Sequence, residues 1–178
     1  MEYEKQYDEF VQEFAAYMNK ATSEKEISDL VFLCVGTDRI TGDSFGPLVG
    51  HKLKRLYKAE KKVHIYGDLE LPLSADNIEK NVQRIQKRYE RPFVIAIDSA
   101  VSEKSNIGKI VTSKRRMHLG SSLSKEVIKV GDISIKGIVS EDLGSPQKNF
   151  ILLQNTSLGL VMNMADITAK GIYEVIRI

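Results

Sequence analysis

Val31-Phe32-Leu33-Cys34-Val35 is an unbroken apolar run, ended by Gly36 and a loop of turn formers from Thr37 to Ser44. A run this short and this uniform reads as a strand buried on both faces. Pro47 comes next where a helix can begin, because a first-turn proline lacks only an N–H that would be unpaired anyway. The chain is thereby set up as strand, loop, helix, with an acidic loop at the carboxyl end of a buried strand. In open α/β sheets that edge is where ligands bind.

The pattern continues downstream. Phe45 to about Glu60 predicts a helix with Val49, Leu53, Leu56 and Tyr57 on its apolar face. Val63 to Gly67 predicts a strand, and Ala75 to Tyr89 a helix capped by Ser74, with Ile78, Val82, Ile85 and Tyr89 inward. Arg91-Pro92 stops that helix. Phe93-Val94-Ile95-Ala96-Ile97 is a second strongly apolar strand, and it delivers Asp98. Strand, helix, strand, helix, strand implies right-handed parallel crossovers. An amphipathic helix over residues 3–20 precedes the unit, with a connector to about residue 28. Further strands are expected at 108–112, 133–139 and 150–153, a loop at 118–124, and a last helix from about Ser157, capped by Asn155 or Thr156. Its stripe is Leu158, Val161, Met162, Ala165, Ile172 and Ile176. The expectation is one α/β domain over residues 1–178, a mixed, mostly parallel sheet between two helical layers.

Composition narrows the function. The net charge of +2 is too small to point to nucleic acid or a membrane surface. No apolar run approaches the ~18 residues of a membrane span. The acidic start MEYEKQYDEF does not read as a signal peptide. The single cysteine, Cys34, excludes an internal disulfide and suits a reducing cytoplasm. Inside an apolar strand it is expected to be a buried, inert packing residue.

Two acids stand at strand ends, Asp43 after the first strand and Asp98 after the third. If the strand order is 2-1-3, both open into the switch-point crevice. Two carboxyls sharing a site cannot both ionise easily, so one keeps its proton. A protonated and an ionised carboxyl side by side can polarise a carbonyl and activate water. Aspartate in a Gly-rich turn also has a backbone role, because its side chain bonds its own loop. Asp38 is a third acid in the same loop. The loop is neither a Walker loop nor GxGxxG. His51 and His64 are expected to be structural. His118, in a loop after Asp98, could complete an Asp/Asp/His metal set. Ser99 is expected to bond backbone.

The segments LCVGTDRITGDSFGPLVG, FVIAIDSAVS and LQNTSLGLVMNMADITAKGI resemble the YyaC sporulation proteins of spore-forming Firmicutes, over Asp29 to Ile172. That family resembles the germination protease and, more distantly, the hydrogenase-maturation endopeptidases. The resemblance implies a phosphorylase/hydrolase-like fold and acid and base roles for Asp43 and Asp98 in an atypical aspartic protease, with no cofactor. It implies a protein or peptide substrate, small acid-soluble spore proteins among the candidates, and a forespore or mother-cell cytoplasm. A homo-oligomer is compatible with it. Where the family has a Pro-Gly-Ala-Gly-like loop this chain has His118-Leu119-Gly120-Ser121-Ser122, a departure that implies a different substrate-gripping surface; Asp38, Gly120 and Ser121 are the expected substrate contacts. In the maturation peptidases the matching acids and a histidine grip nickel in the substrate, which makes Asp43, Asp98 and His118 the alternative metal set. A non-catalytic protein on a peptidase fold, binding a spore partner, is the third reading.

Overall fold

Strand β1, Leu30–Cys34, is buried at every residue and lies between two parallel neighbours. Those neighbours are β2 (Val63–Tyr66) and β3 (Phe93–Ser102). The computed structural model describes residues 2–24, 26–119 and 128–177. Its main sheet has five strands in the order β2-β1-β3-β7-β4. Here β7 is Ile133–Glu141, parallel to β3, and β4 is Ile110–Ser113, antiparallel at the far edge. Met117–Leu119 (β5) and Ile128–Val130 (β6) form a separate two-stranded ribbon.

Alternation along the strands divides the apolar side chains between two cores. Leu30, Phe32, Cys34, Ile95, Ile97, Ile133 and Ile135 pack under helices α1 (Glu2–Glu24), α2 (Phe45–Leu56) and α5 (Leu158–Val175). Val31, Leu33, Val35 and Ala96 pack on the other face under α3 (Ile78–Arg88) and the ribbon residues Met117 and Val130. A parallel strand buried on both faces must be apolar at every position, which is why β1 carries no alternation. The expected three-layer, mostly parallel sheet is the architecture found, on a single domain.

Several local expectations are corrected. Residues 150–153 are not a strand but part of helix α4, Pro146–Gln154, which starts with proline in its first turn. Four consecutive apolar residues carry no period, so they do not discriminate strand from helix. The cap of α5 is Ser157, whose Oγ accepts from the Leu160 amide, not Asn155 or Thr156. Leu158 and Leu56, placed on buried stripes by the sequence, are 59% and 38% exposed. Helix α3 begins only at Ile78, after a turn in which Asn77 Oδ1 accepts from the Ser74 amide. Residues 118 and 119 lie in β5 rather than in a loop, while residues 120–124 lie outside the described residues.

The two helix-and-strand histidines have structural surroundings. His64 Nε2 bonds Asp29 Oδ1 at 2.8 Å and stacks on Tyr89. His51 is partly buried on α2. Cys34 has no solvent exposure, and burial pushes its thiol pKa far up. Because the thiolate is the reactive form, native protein is expected to take up almost no thiol reagent over times in which urea-unfolded protein labels fully. Fast native labelling, detected by mass spectrometry, would contradict a buried β1.

Candidate active site

At the carboxyl edge of the sheet β1 ends before β3 does. Cys34 pairs with Ile97, so Asp98 and Ser99 are the first β3 residues beyond the end of β1. Strand β3 does not stop at Ile97, as the sequence suggests, but runs on beside β7 to Ser102. The crossover through α2 goes one way from β1 and the crossover through α3 returns on the other side. This makes the gap between β1 and β3 the switch point.

The chain crosses that gap from 36 to 45. Gly36 has φ +136°, and a Cβ there would collide with the Asp43 carbonyl. The Thr37 amide donates to that carbonyl at 3.0 Å, which closes the loop on itself. Residues Thr41–Asp43 form one 3-10 turn, and Ser44 Oγ donates back to the Thr41 carbonyl at 2.7 Å. Helix α2 then starts hard against β1. A Cβ on Gly46 would drive into the Val35 carbonyl oxygen, backbone that cannot step aside. Gly46→Ala is expected to destabilise the protein by about 1–3 kcal/mol. A lowered urea midpoint would show this, and an unchanged midpoint would mean that α2 is not seated as described.

The structure brings Asp43 and Asp98 together. Ser99 Oγ donates to Asp43 Oδ1 at 3.2 Å. Burial raises the Asp43 pKa, while the Ser99 hydroxyl and the Thr37 amide pull it down, and the net shift is upward. Asp98 is pushed up to about 8. Its largest cause is lost hydration, then the charge of Asp43; the Ser99 amide and Lys136 oppose these. At neutral pH Asp98 therefore carries a proton beside a second carboxyl. Ser99 thus bonds a carboxylate side chain, not backbone as its sequence context suggests. Lys136, facing Asp98 across the β3–β7 ladder, is a neighbour that sequence reasoning misses; its signal is a lone charge in the apolar run ISIKGIV.

The other expected residues are placed differently. Asp38 is exposed in the loop, away from these hydrogen bonds. Gly120 and Ser121 lie outside the described residues. His118 is in β5, its backbone opposite Lys129. Among the described residues no group of three His, Cys, Asp or Glu side chains gathers as a metal cluster. Asp43 and Asp98 would supply two oxygen ligands to any metal carried by a substrate.

One helix beside the Thr41–Asp43 turn has unusual surroundings. Helix α4 packs on the Thr41–Asp43 turn and has no buried residue of its own. Leu153 and Thr156 press on Gly42, where a Cβ would lie 2.7 Å from Leu153 Cδ2. Phe150 and Ile151 remain 48% and 57% exposed.

Known proteins share this sequence and fold. A family model described as "Protein of unknown function (DUF1256)" matches residues 2–171. The YyaC protein of Bacillus subtilis (strain 168) is 40% identical over 143 residues, covering 80% of this chain and 67% of that protein. The hydrogenase maturation protease HycI of Thermococcus kodakarensis superposes with a TM-score of 0.53 at 21% identity, over 83% of this chain and 92% of that one. HybD from the same organism gives 0.39 at 17% identity, over 80% and 97%. The likeness to HycI is one of fold.

Proposed function

The chain belongs to the DUF1256 family, and from that premise we propose that it is a peptidase that hydrolyses a protein substrate with water activated by the Asp43–Asp98 pair. The fold, that of a maturation protease, fits a protein substrate. The observation that carries the reading is the placement of the pair: Ser99 Oγ donates to Asp43 Oδ1 at 3.2 Å, and Asp98, poorly hydrated and close enough to feel the charge of Asp43, is pushed up to about 8. Such a pair holds a base for water and an acid for the carbonyl oxygen at the same pH. The mechanism uses no resident metal. The resemblance to sporulation proteins makes spore proteins the first substrates to try, small acid-soluble ones among them, and the forespore or mother cell the compartment in which to look. No helix among the described residues is long and apolar enough to cross a membrane.

The test is cleavage of spore protein extracts and of purified small acid-soluble proteins, with Asp98→Asn as control. Activity is expected to survive a strong chelator and to fall as pH rises through about 8, where Asp98 loses its proton. Loss with chelator, restored by a divalent metal, would favour Asp43, Asp98 and His118 acting on metal. Intact substrates under every condition would leave a binding protein on a peptidase fold.

A further inference from the structure

Strand β3 loses one of its two neighbours half-way along. Up to Ile97 it has β1 on one side, and from Ile95 to Ser102 it has β7 on the other. Residues 98–102 therefore carry a ladder on one side only. We propose that Ser99 to Val101 is a docking edge, on which an extended segment of the protein substrate adds as a strand in the place that β1 vacates. Naming the substrate as occupant rests on the hydrolytic reading above; the openness of the edge does not.

Hydrogen bonds fix which backbone groups face the vacated side. A strand residue points its N–H and C=O to one side, and the next residue points them to the other. The Val35 amide donates to the Ile97 carbonyl at 2.7 Å, so Ile97 faces β1. The Asp132 and Asp142 amides donate to the Val94 and Ser102 carbonyls, each at 2.7 Å, so Val94 and Ser102 face the β7 side. The extra residue at the register shift, Val139, belongs to β7, and β3 keeps its alternation. Ser99 and Val101 thus turn their backbone groups to the side without a strand. The Asp98 carboxyl accepts from the Ser99 amide. No hydrogen bond joins the Ser99 carbonyl or either Val101 group to the loop from 36 to 44, and residues 98–102 are all partly exposed.

The outer edge of the sheet is treated differently. On β4 the Thr112 amide is met by Glu13 Oε2 of α1 at 3.4 Å. A charged side chain on an edge is one way that proteins block strand addition. The β3 edge has no such cap, and it adjoins the two acids. It offers only the Ser99 carbonyl and the Val101 amide and carbonyl, too short a ladder to hold two copies of this chain together. A peptide needs only a few main-chain bonds, with side-chain contacts added to them. Such a segment has to be extended and unpaired within its own protein, with no proline at the bonding residue. The substrate then presents a terminus or an unfolded stretch. Its peptide group beside Ser99 lies next to Asp98, the preceding residue, and to Asp43, which accepts from Ser99 Oγ.

The experiment is amide hydrogen exchange by nitrogen-15 NMR, first on free wild type and then on Asp98→Asn with purified small acid-soluble spore protein as the probe. In free protein the Val101 amide is expected to exchange well before those of Ala100 and Ser102, which face β7. On adding the probe, the Val101 amide is expected to become protected. Val101→Pro, which removes only an outward N–H, is expected to weaken probe binding about fivefold, the scale of one net hydrogen bond. Val101→Ala, which keeps the amide, is expected to bind as before. A Val101 amide already slow in dilute free protein overturns the open edge, and protection that grows with protein concentration alone makes the occupant a second copy and overturns the assignment. Probe that binds and leaves Val101 unprotected, or that does not bind, overturns it too. If Val101→Pro does not fold, the exchange of Val101 in the other two proteins decides. Protection of Val101 with no cleavage by wild type upholds the edge and removes only the peptidase reading; cleavage with Val101 unprotected does the reverse.

Discussion

Asp98→Asn is expected to lower hydrolysis of a protein substrate by a factor of roughly 10² or more, the usual scale for a positioned acid or base. Asparagine keeps the shape of the side chain and still accepts from the Ser99 amide, so the fold is retained. It removes the proton that the carbonyl oxygen receives. Asp43→Asn removes the base instead and is expected to fall as far. The two carboxyls act as one unit, so the double mutant is expected to be little worse than either single. A double mutant whose loss is the product of the two single losses would show that the aspartates act independently. Single-turnover assays separate this from substrate binding: the fall should appear in kcat with KM nearly unchanged.

The same substitution is expected to make the protein more stable. A carboxyl that titrates near 8 when folded and near 3.8 when unfolded keeps its proton in the native state after the unfolded chain has released it. Between those values the folded state binds more protons, so stability falls as pH rises. Below about 4 both states are protonated and the contribution is flat; above about 8 the full cost is present. Asp43, shifted in the same direction, adds to this slope. At about 1.4 kcal/mol per pH unit the ceiling is on the order of 5 kcal/mol, and water entering the open crevice reduces it. Asp98→Asn is therefore expected to gain on the order of 3 kcal/mol at pH 8, a rise of roughly 6–12 °C in Tm for a chain of this size, and almost nothing at pH 4. Thermal melts from pH 4 to 9 measure this, and a wild-type Tm that climbs with pH over that range would refute it. Asp68 works in the opposite sense and at lower pH. Burial alone would raise its carboxyl, but Lys54 and the Leu71 and Glu70 amides outweigh it and hold the pKa below its ordinary value. Its stabilisation is present above the unfolded value, near 4, and is lost as pH falls through the lower folded value. A stability that is lost in acid through Asp68 and in base through Asp98 puts the maximum of the wild type near pH 4–5.

The balance of stability and reactivity has a structural origin. Asp98 stands where β3 has outrun β1, so the position has sheet on one side and the crevice on the other. A hydrophobic residue there would extend the core. A carboxyl there is poorly hydrated and close to another carboxyl, two conditions that raise its pKa together. The folded state accepts that cost at one position, and the apolar, fully buried β1 and the first half of β3 offset it.

Much of this was legible in the residues themselves. The run from Val31 to Val35 and the run from Phe93 to Ile97 are apolar at every position, which only a strand covered on both faces requires, and covering both faces needs crossover helices on both sides. Right-handed crossovers then allow the order β2-β1-β3 among others, and only in that order do the two acids share a switch point; the folded sheet has it. The chain beyond the third strand was less legible. Phe150 to Leu153 has no period to read, and its helix packs on partners remote in sequence or in a preceding strand, the Thr41–Asp43 turn and β7. The length of β3 depends on β7, more than thirty residues away in sequence, and a ladder partner cannot be read from the strand it extends. For the same reason Ser99 reads from the sequence as a backbone-bonding residue, and Lys136 only as a lone charge in an apolar run, with nothing to join either to Asp43. The composition around Asp98 names its neighbours along the chain, whereas the proton on Asp98 is decided by neighbours across the sheet and across the crevice. Local sequence sets which residues are apolar and which can turn. Distance through space sets which charges meet, and only the folded chain brings Asp43, Asp98, Ser99 and Lys136 within reach of one another.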